Sequence, residues 1–215
     1  MKFKNQFAPV PNKLGLYPIV DSLLWLTRML ESGVTTIQLR LKDKSEEQVG
    51  SNIKDAVLLG LNYRAKIFIN DYWQLAIRYK AYGVHLGQED MNKANPDAIW
   101  RAGLRLGLST HNEEELLRAL SWNPSYIALG HIFSTTTKKM PSQPQGLAKL
   151  KNVASKLTHI PTVAIGGITL DRVDKVLACG VGSIAVVSAI TSAKDWREAT
   201  SGLQKKIENF HSYVR

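Results

Sequence analysis

The chain is poor in cysteine and in long apolar runs. Its single cysteine, Cys179, excludes an intrachain disulfide and is typical of a reducing compartment. The longest apolar run, residues 181–190, is about half of a membrane span. Residues 1–15 hold no apolar core of signal-peptide length. We therefore expect a soluble, cytoplasmic protein that does not cross a membrane.

Several sequence motifs are also missing. The chain has no Walker-type phosphate loop, no C-x-x-C metal pair and no G-x-S-x-G elbow, and no low-complexity linker divides it. We expect one domain over residues 1–215, with 1–14 as an N-terminal extension and 211–215 as a tail. A protein nucleophile is not indicated.

Positive charge is in excess: 28 Lys and Arg against 18 Asp and Glu give a formal net charge of +10. This balance favours anionic partners without identifying them. A nucleic-acid binder is one alternative, and it predicts a basic stripe with exposed aromatic residues. The basic residues are instead scattered along helix-like segments, so we expect phosphorylated small molecules and no nucleic acid.

Short β-rich runs alternate with longer amphipathic stretches along the whole chain. The strand-like runs are Leu16–Val20, Thr35–Leu39, Lys66–Ile69, Tyr82–Leu86, Leu104–Leu108, Tyr126–Leu129, Thr162–Ile165 and Ser183–Val187. Most are continuously apolar, which is typical of parallel strands covered on both faces. Their spacing of about 25 residues predicts an α/β fold, a (β/α)₈ TIM barrel with eight parallel strands. A doubly wound open sheet is the alternative.

The intervening segments predict helices. The clearest are Ser22–Glu31, Ser45–Leu59, Thr110–Leu120, Leu170–Ala178 and Asp195–Phe210. Ser45 with Gln48 three residues later has the spacing of a capping box. In a TIM barrel the chemistry lies at the carboxyl ends of the strands, so the residues that follow each run are the candidates for a site.

Two acids follow neighbouring runs. Asp71 ends the third run and Asp90 comes shortly after the fourth. Adjacent strands lie about 4.8 Å apart, so the two carboxylates can converge on one Mg²⁺ ion. The alternative is that each acid caps a helix, Asp71 the helix that begins YWQLAIRY.

Cations and hydroxyls follow other runs. Gln38, Arg40 and Lys42 alternate at the end of the second run, and period-two spacing points them the same way. The loop FSTTTKK brings three threonines and a lysine, a set that suits phosphate but also occurs in ordinary loops. Ser109 is either a ligand or a helix cap, and His111 is either an acid–base group or an ordinary helix-start residue.

Glycines end the seventh and eighth runs. Residues 164–168 read AIGGI and residues 180–190 read GVGSIAVVSAI. Glycine lets backbone N–H groups approach an anion, and loops after strands seven and eight recurrently bind phosphate in these barrels. Tight strand-to-helix turns are the alternative. Together with the cations, these turns give room for two anions.

These segments together resemble the thiamine phosphate synthase family over about residues 15–199. The residues that carry the resemblance are GLYPIVD (15–21), QLRLKD (38–43), FINDYWQLA (68–76), GVHLGQED (83–90), LGLSTH (106–111), ALGHIFSTTTK (128–138), PQGL (144–147), VAIGGI (163–168) and GVGSIAVVSAI (180–190). The resemblance implies a TIM barrel that joins 4-amino-2-methyl-5-(diphosphooxymethyl)pyrimidine to 4-methyl-5-(2-phosphooxyethyl)thiazole, or to its carboxylated form. The products are thiamine phosphate and pyrophosphate, and one Mg²⁺ assists.

The resemblance also implies roles for particular residues. The residues matching the pyrimidine diphosphate site are Gln38, Leu39, Arg40, Leu41, Lys42, Asn70, Ser109 and Lys138, of which Arg40, Lys42, Ser109 and Lys138 take part in catalysis. The Mg²⁺ ligands are Asp71 and Asp90. The residues matching the thiazole phosphate site are Thr135, Thr136, Thr137, Gly167, Val187 and Ser188.

The chain departs from the family pattern at two positions. Ser134 stands where the loop usually has proline, and Leu41 stands where the family often has an acid. A thiazole tautomerase of a sister family is an alternative that predicts loss of the metal acids and the pyrophosphate cations, all of which are present here. A homodimer is compatible with such a barrel, although no interface pattern is evident.

Overall fold

Eight parallel strands close into a barrel in chain order, with the last strand paired to the first. This computed structural model describes residues 4–42, 45–135 and 142–213. The strands are β1 Gly15–Val20, β2 Thr36–Leu39, β3 Lys66–Asn70, β4 Gly83–Leu86, β5 Arg105–Thr110, β6 Tyr126–Leu129, β7 Thr162–Ile165 and β8 Ser183–Val186. The prediction of a TIM barrel is therefore confirmed, and the open-sheet alternative is wrong.

Helices cover the outside of the barrel. Those in the described ranges are α1 Leu23–Glu31, α2 Glu46–Asn62, α3 Trp73–Arg78, α4 Gln88–Met91, α5 Pro96–Arg101, α6 Glu113–Leu120, α7 Gly146–Ala154, a 3₁₀ turn Leu170–Arg172 that runs into α8 Val173–Leu177, α9 Ser188–Thr191 and α10 Trp196–Tyr213. None of them, over the residues described, is long and apolar enough to span a bilayer.

Side-chain caps mark the starts of α1, α2, α5 and α6. The capping box at Ser45 forms as predicted, with Gln48 reaching back to the Ser45 backbone. The predicted start of the sixth helix at Thr110 is wrong. Thr110 is the last residue of β5 and its hydroxyl donates to the Ala128 carbonyl at 3.1 Å. The helix begins three residues later because Asn112 accepts the N–H of Glu115 at 2.8 Å.

The strands are buried on both faces, as their continuous apolar runs predict. Leu, Ile and Val side chains pack outward against the helices. Inside the barrel an aromatic cluster of Tyr17, Phe68 and Tyr126 fills the space, with ring centroids 5.3 to 6.0 Å apart. Gly107 makes room for it, since a Cβ there would lie 2.1 Å from the Tyr126 ring. The barrel interior is thus solid below the site.

The segment before β1 covers the amino-terminal end of the barrel. Phe7, Val10 and Leu14 are buried there. Its backbone is tied down by a hydrogen bond from the Ser125 hydroxyl to the Ala8 carbonyl at 2.6 Å, and by one from the Leu14 N–H to the Ser183 hydroxyl at 2.8 Å. This end is sealed, so access from solvent is at the opposite end.

Candidate active site

A cavity of about 990 Å³ opens at the carboxyl ends of the strands. Eleven of the predicted site residues line it: Gln38, Arg40, Lys42, Asn70, Asp71, Asp90, Ser109, Thr135, Gly167, Val187 and Ser188. Three others, Thr136, Thr137 and Lys138, lie outside the described residues. Leu39 and Leu41 are in the outer core instead, at 1% and 4% exposure. Their side chains do not reach the cavity, so only a backbone contact is left for them.

The end of β2 alternates as its sequence predicts. Gln38 points into the barrel, where its amide lies 3.4 Å from the Tyr17 hydroxyl. Arg40 and Lys42 continue on the same side at the cavity wall, while Leu39 and Leu41 pack outward. The Arg40 N–H still bonds the Val20 carbonyl at 2.8 Å, which extends the β1–β2 pairing past the strand end. Two cations are therefore held at the mouth by regular strand geometry.

Asp71 and Asp90 meet beside this wall. Burial first, and then the neighbouring Asp90 carboxylate, raise the pKa of Asp71 from 3.8 to a net value of about 6. Arg40 and a hydrogen bond from the Asn70 amide at 2.6 Å act in the opposite direction and lower it. Two acids that share so small a space disfavour each other's charge, and a divalent cation would relieve that repulsion.

The backbone turns sharply at Asp71, where its carboxylate meets that of Asp90. Its φ is 66°, in the left-handed region that non-glycine residues seldom adopt. Its N–H bonds the His85 carbonyl at 3.0 Å, which anchors the turn to β4. Tyr72, and not Asp71, is the residue that precedes α3, and it makes no side-chain cap. The helix-cap alternative for Asp71 is therefore wrong.

Asp90 lies on the short helix α4, which is braced from α6. The Arg118 guanidinium donates to the Gln88 carbonyl at 3.2 Å and to the Asn92 side-chain oxygen at 2.7 Å. The Gln88 amide in turn donates to the Ser109 carbonyl at 2.7 Å. No sequence pattern indicates a role for Arg118. The sequence shows only a basic residue near the end of a predicted helix.

A second feature that the sequence did not reveal is a buried chain of hydrogen bonds beneath the cavity. Tyr17 and Tyr126 bond through their hydroxyls at 2.8 Å. The Tyr126 hydroxyl bonds His85 Nδ1 at 2.7 Å, and His85 Nε2 bonds Ser109 Oγ at 2.7 Å. Ser109 belongs to β5, so the helix-cap alternative for it is wrong. Burial raises the pKa of both tyrosines, which keeps them neutral.

His111 also lines the cavity, two residues after Ser109 and just past the end of β5. Its Nδ1 and its backbone N–H both contact the Glu115 carboxylate, at 2.7 and 2.8 Å. This pairing ties the imidazole to the first turn of α6. The contact supports the ordinary helix-start interpretation of His111.

The opposite wall is built from turns after β6, β7 and β8. Gly167 has a φ of 61°, and a Cβ on it would lie 2.4 Å from the Ser134 carbonyl. Arg172 donates to the Gly167 carbonyl at 2.6 Å and stacks 4.4 Å over the Phe133 ring. Only glycine fits this turn, and Arg172 holds it against the loop that starts at Phe133.

The donor set favours a hard cation. Within the described ranges no group of three or more His, Cys, Asp or Glu side chains is placed to hold a metal. Structural zinc sites use four nitrogen or sulfur ligands, whereas Mg²⁺ takes one or two carboxylates and completes its shell with water and phosphate oxygens. The acid pair therefore fits Mg²⁺ together with an anionic substrate.

Comparison with known proteins points to one family. The sequence profile of the family described as thiamine monophosphate synthase matches residues 16–190. The chain is 62% identical over 202 residues to the thiamine-phosphate synthase of Serratia proteamaculans, covering 94% of this chain and 95% of that protein. It is 62% identical over 209 residues to that of Pectobacterium atrosepticum, covering 97% and 98%.

A solved structure is similar as well. Thiamine phosphate pyrophosphorylase from Pyrococcus furiosus superimposes with a TM-score of 0.81 at 34% identity, covering 93% of this chain and 98% of that one. The relatives similar in sequence and this solved structure are therefore named for the same activity.

Proposed function

The chain belongs to the thiamine monophosphate synthase family and is a transferase of thiamine biosynthesis, and from this premise we propose how its residues divide the reaction. The two substrates are the pyrimidine diphosphate and the thiazole phosphate. Each of the two cavity walls binds one of these substrates. The acid pair lies on the pyrimidine side and holds the metal.

The pyrimidine diphosphate lies against β2, β3 and β5. Arg40 and Lys42 bind its diphosphate, and Lys138 joins them from the threonine loop. Gln38, Asn70 and Ser109 face the pyrimidine ring, and the backbone of Leu39 and Leu41 supplies further contacts. The supporting observation is that Arg40, Lys42, Asn70 and Ser109 all line the same cavity.

Asp71 and Asp90 hold one Mg²⁺ ion. When bound, this ion supplies a positive charge that neutralises the diphosphate oxygens. The raised pKa of Asp71 supports the assignment. Burial and Asp90 disfavour the charged form of this carboxylate, and a bound cation would favour it. Arg118 and the Asn70 amide keep the two carboxylates in place.

The thiazole phosphate lies against the opposite wall. Backbone groups at Gly167, Val187 and Ser188 bind its phosphate, and the hydroxyls of Thr135, Thr136 and Thr137 complete the site. Ser134 replaces a proline next to these threonines. The stacking of Arg172 on Phe133 restores some of the rigidity that proline would give.

The reaction breaks the bond between the pyrimidine CH₂ group and the diphosphate oxygen, with both electrons leaving on oxygen. Arg40, Lys42 and Lys138 stabilise the negative charge that accumulates on the departing pyrophosphate. The amino group of the ring stabilises the cation, and the thiazole nitrogen then captures it. Holding the two reactants in one cavity lowers the barrier by at most about 7–11 kcal/mol. No side chain attacks the substrate.

The observation that carries this proposal is the acid pair beside Arg40 at the cavity mouth. The test is to mix the protein with both substrates and Mg²⁺ and to measure pyrophosphate. We expect release only when all three are present, and a loss of at least about 100-fold in Arg40→Met. Lys206→Met is the matched control, since it removes the same charge from a partly exposed ion pair with Asp174 at 3.1 Å, away from the residues that line the cavity. Release from the pyrimidine substrate alone at the full rate would contradict the proposal.

Other features of the protein are proposed on less direct grounds. We propose that it is cytoplasmic, that it binds no nucleic acid and that it forms one domain over residues 1–215. A homodimer is compatible with the barrel. Size-exclusion chromatography with light scattering measures whether the protein is a homodimer.

A further inference from the structure

Five polar side chains form a continuous chain of hydrogen bonds at the bottom of the cavity, and both of its ends, Gln38 and Ser109, line the cavity. In order they are Gln38, Tyr17, Tyr126, His85 and Ser109, linked at 3.4, 2.8, 2.7 and 2.7 Å. Tyr17 and Tyr126 are fully buried, and Gln38 and His85 are 3% and 6% exposed. Burying so many polar groups is costly unless each bond is made. An aromatic plug of phenylalanines would fill the same space without that cost.

Either tyrosine hydroxyl can donate to the other, and either His85 ring nitrogen can carry the proton. The Gln38 amide N–H faces the Tyr17 oxygen at 3.4 Å. In the order that suits this contact, Tyr17 donates to Tyr126 and Tyr126 donates to His85 Nδ1. In the reverse order the Tyr17 proton would face the Gln38 N–H. The first order leaves His85 accepting at Nδ1, with its own proton on Nε2.

The consequence falls on Ser109. In this order His85 Nε2–H donates to Ser109 Oγ across the 2.7 Å contact, which leaves the serine proton to point into the cavity that Ser109 lines. Without His85 the hydroxyl would rotate freely. With it, the serine would present its proton to a substrate in the cavity.

We propose that His85 is a positioning residue for the transfer reaction, held by Tyr126 in the Nε2–H tautomer so that it orients the Ser109 hydroxyl toward the pyrimidine. This inference rests on the proposed function, which gives the pyrimidine to Ser109. It adds a role for His85, Tyr126 and Tyr17. None of these three needs to touch the substrate for the effect.

Two substitutions of His85 separate its two bonds. In His85→Gln the amide extends to the place of Nε2 and keeps a donor for Ser109. In His85→Asn the amide stays near Nδ1 and keeps only the bond to Tyr126. We expect kcat to fall by about tenfold or more in His85→Asn, the equivalent of one oriented hydrogen bond. His85→Gln should retain several times more activity than His85→Asn.

Tyr126→Phe tests the remote end, because it removes one hydroxyl and leaves both His85 and Ser109 in place. Its kcat should fall while the KM for the thiazole substrate stays within about twofold. Tyr82→Phe is the matched control. Tyr82 packs on Phe68 of the same cluster, but its hydroxyl lies next to Arg105 and outside the chain. It should behave as the unsubstituted protein.

A double substitution tests whether His85 acts through Ser109. If it does, Ser109→Ala with His85→Asn is no slower than Ser109→Ala alone, because the second change removes nothing further. The Mg²⁺ concentration for half-maximal rate is measured in every variant, since the His85 carbonyl also anchors Asp71. That concentration should be unchanged.

The results distinguish this inference from the proposed function. It is overturned if Ser109→Ala is impaired while His85→Asn and Tyr126→Phe are not. It is also overturned if Gln is no better than Asn at position 85 and both variants lose only thermal stability. If the unsubstituted protein releases no pyrophosphate with both substrates, the proposed function itself fails.

Discussion

Removing the charge of Asp71 should stabilise the metal-free protein. In the folded state this carboxyl has a pKa of about 6, raised from 3.8 by burial and by Asp90. It therefore binds its proton more tightly in the folded protein than in the unfolded chain. Asp71→Asn keeps the shape and tolerates the left-handed backbone, with a φ of 66°, because Asn is also enriched in that region.

The size of the effect depends on pH. Because the folded protein holds the extra proton, its stability falls as pH rises through 6 and recovers as pH falls toward 3.8. The rise from 3.8 to about 6 corresponds to at most about 3 kcal/mol. We reduce this to about 1–2 kcal/mol because Asp71 is partly exposed to water. The variant should exceed the unsubstituted protein by that amount at pH 7.5 and by almost nothing at pH 4.

Mg²⁺ should make the unsubstituted protein more stable than Asp71→Asn. At about 100-fold above its Kd, the ion stabilises the unsubstituted protein by about 2.7 kcal/mol, and it should not stabilise Asp71→Asn. Urea unfolding at pH 4 and 7.5, with EDTA and with Mg²⁺, measures both effects. Asp55→Asn on the exposed face of α2 is the control for loss of one carboxylate. The reasoning is refuted if Asp71→Asn is destabilised without metal, or if Mg²⁺ stabilises it as much as the unsubstituted protein.

Three other predictions follow from the same geometry. Gly167→Ala should raise the KM for the thiazole substrate by at least about tenfold. The control is Gly180→Ala, with a φ of 94° and nothing within 4 Å of its Cβ, which should cost about 1 kcal/mol of stability and leave KM unchanged. Equal KM values for the two variants in steady-state kinetics would count against a clash between a Cβ at position 167 and the Ser134 carbonyl. Phe7→Ala should lower the free energy of unfolding, measured in urea, by about 3–5 kcal/mol, because Phe7 is 1% exposed. Its kcat should stay the same, because Phe7 lies at the end of the barrel opposite the cavity. A loss below about 1 kcal/mol would mean that the N-terminal segment is not part of the core. Arg118→Met should weaken Mn²⁺ binding, followed by electron paramagnetic resonance, by about tenfold; unchanged affinity would show that α4 needs no brace.

Strands and strand-end residues were the most predictable features. Parallel strands buried on both faces are continuously apolar, so their bounds could be read to within about two residues. Once eight such runs indicate a barrel, the rule that chemistry lies at their carboxyl ends brings Asp71 and Asp90 to one edge. Local periodicity likewise separates the Arg40 side of β2 from its Leu39 side.

Contacts set by barrel closure could not be predicted in the same way. Tyr17 and Tyr126 lie 109 residues apart, and each is read from sequence as an ordinary core aromatic. Arg118 is read as a solvated helix residue until α4 is placed beside it. Phe7 has no periodic neighbours that would mark it as buried. In each case the partner comes from a distant segment, and no local pattern encodes the pair.

Asp71 and Asp90 are proposed to bind one divalent cation that faces the pyrophosphate. A crystal of the protein grown with Mn²⁺ and pyrophosphate tests this binding through anomalous scattering. We expect a peak within about 2.5 Å of a carboxylate oxygen of each aspartate, with pyrophosphate oxygens on its other side. A peak elsewhere in the cavity, with the two carboxylates turned away from it, would show that the pair is not the metal site.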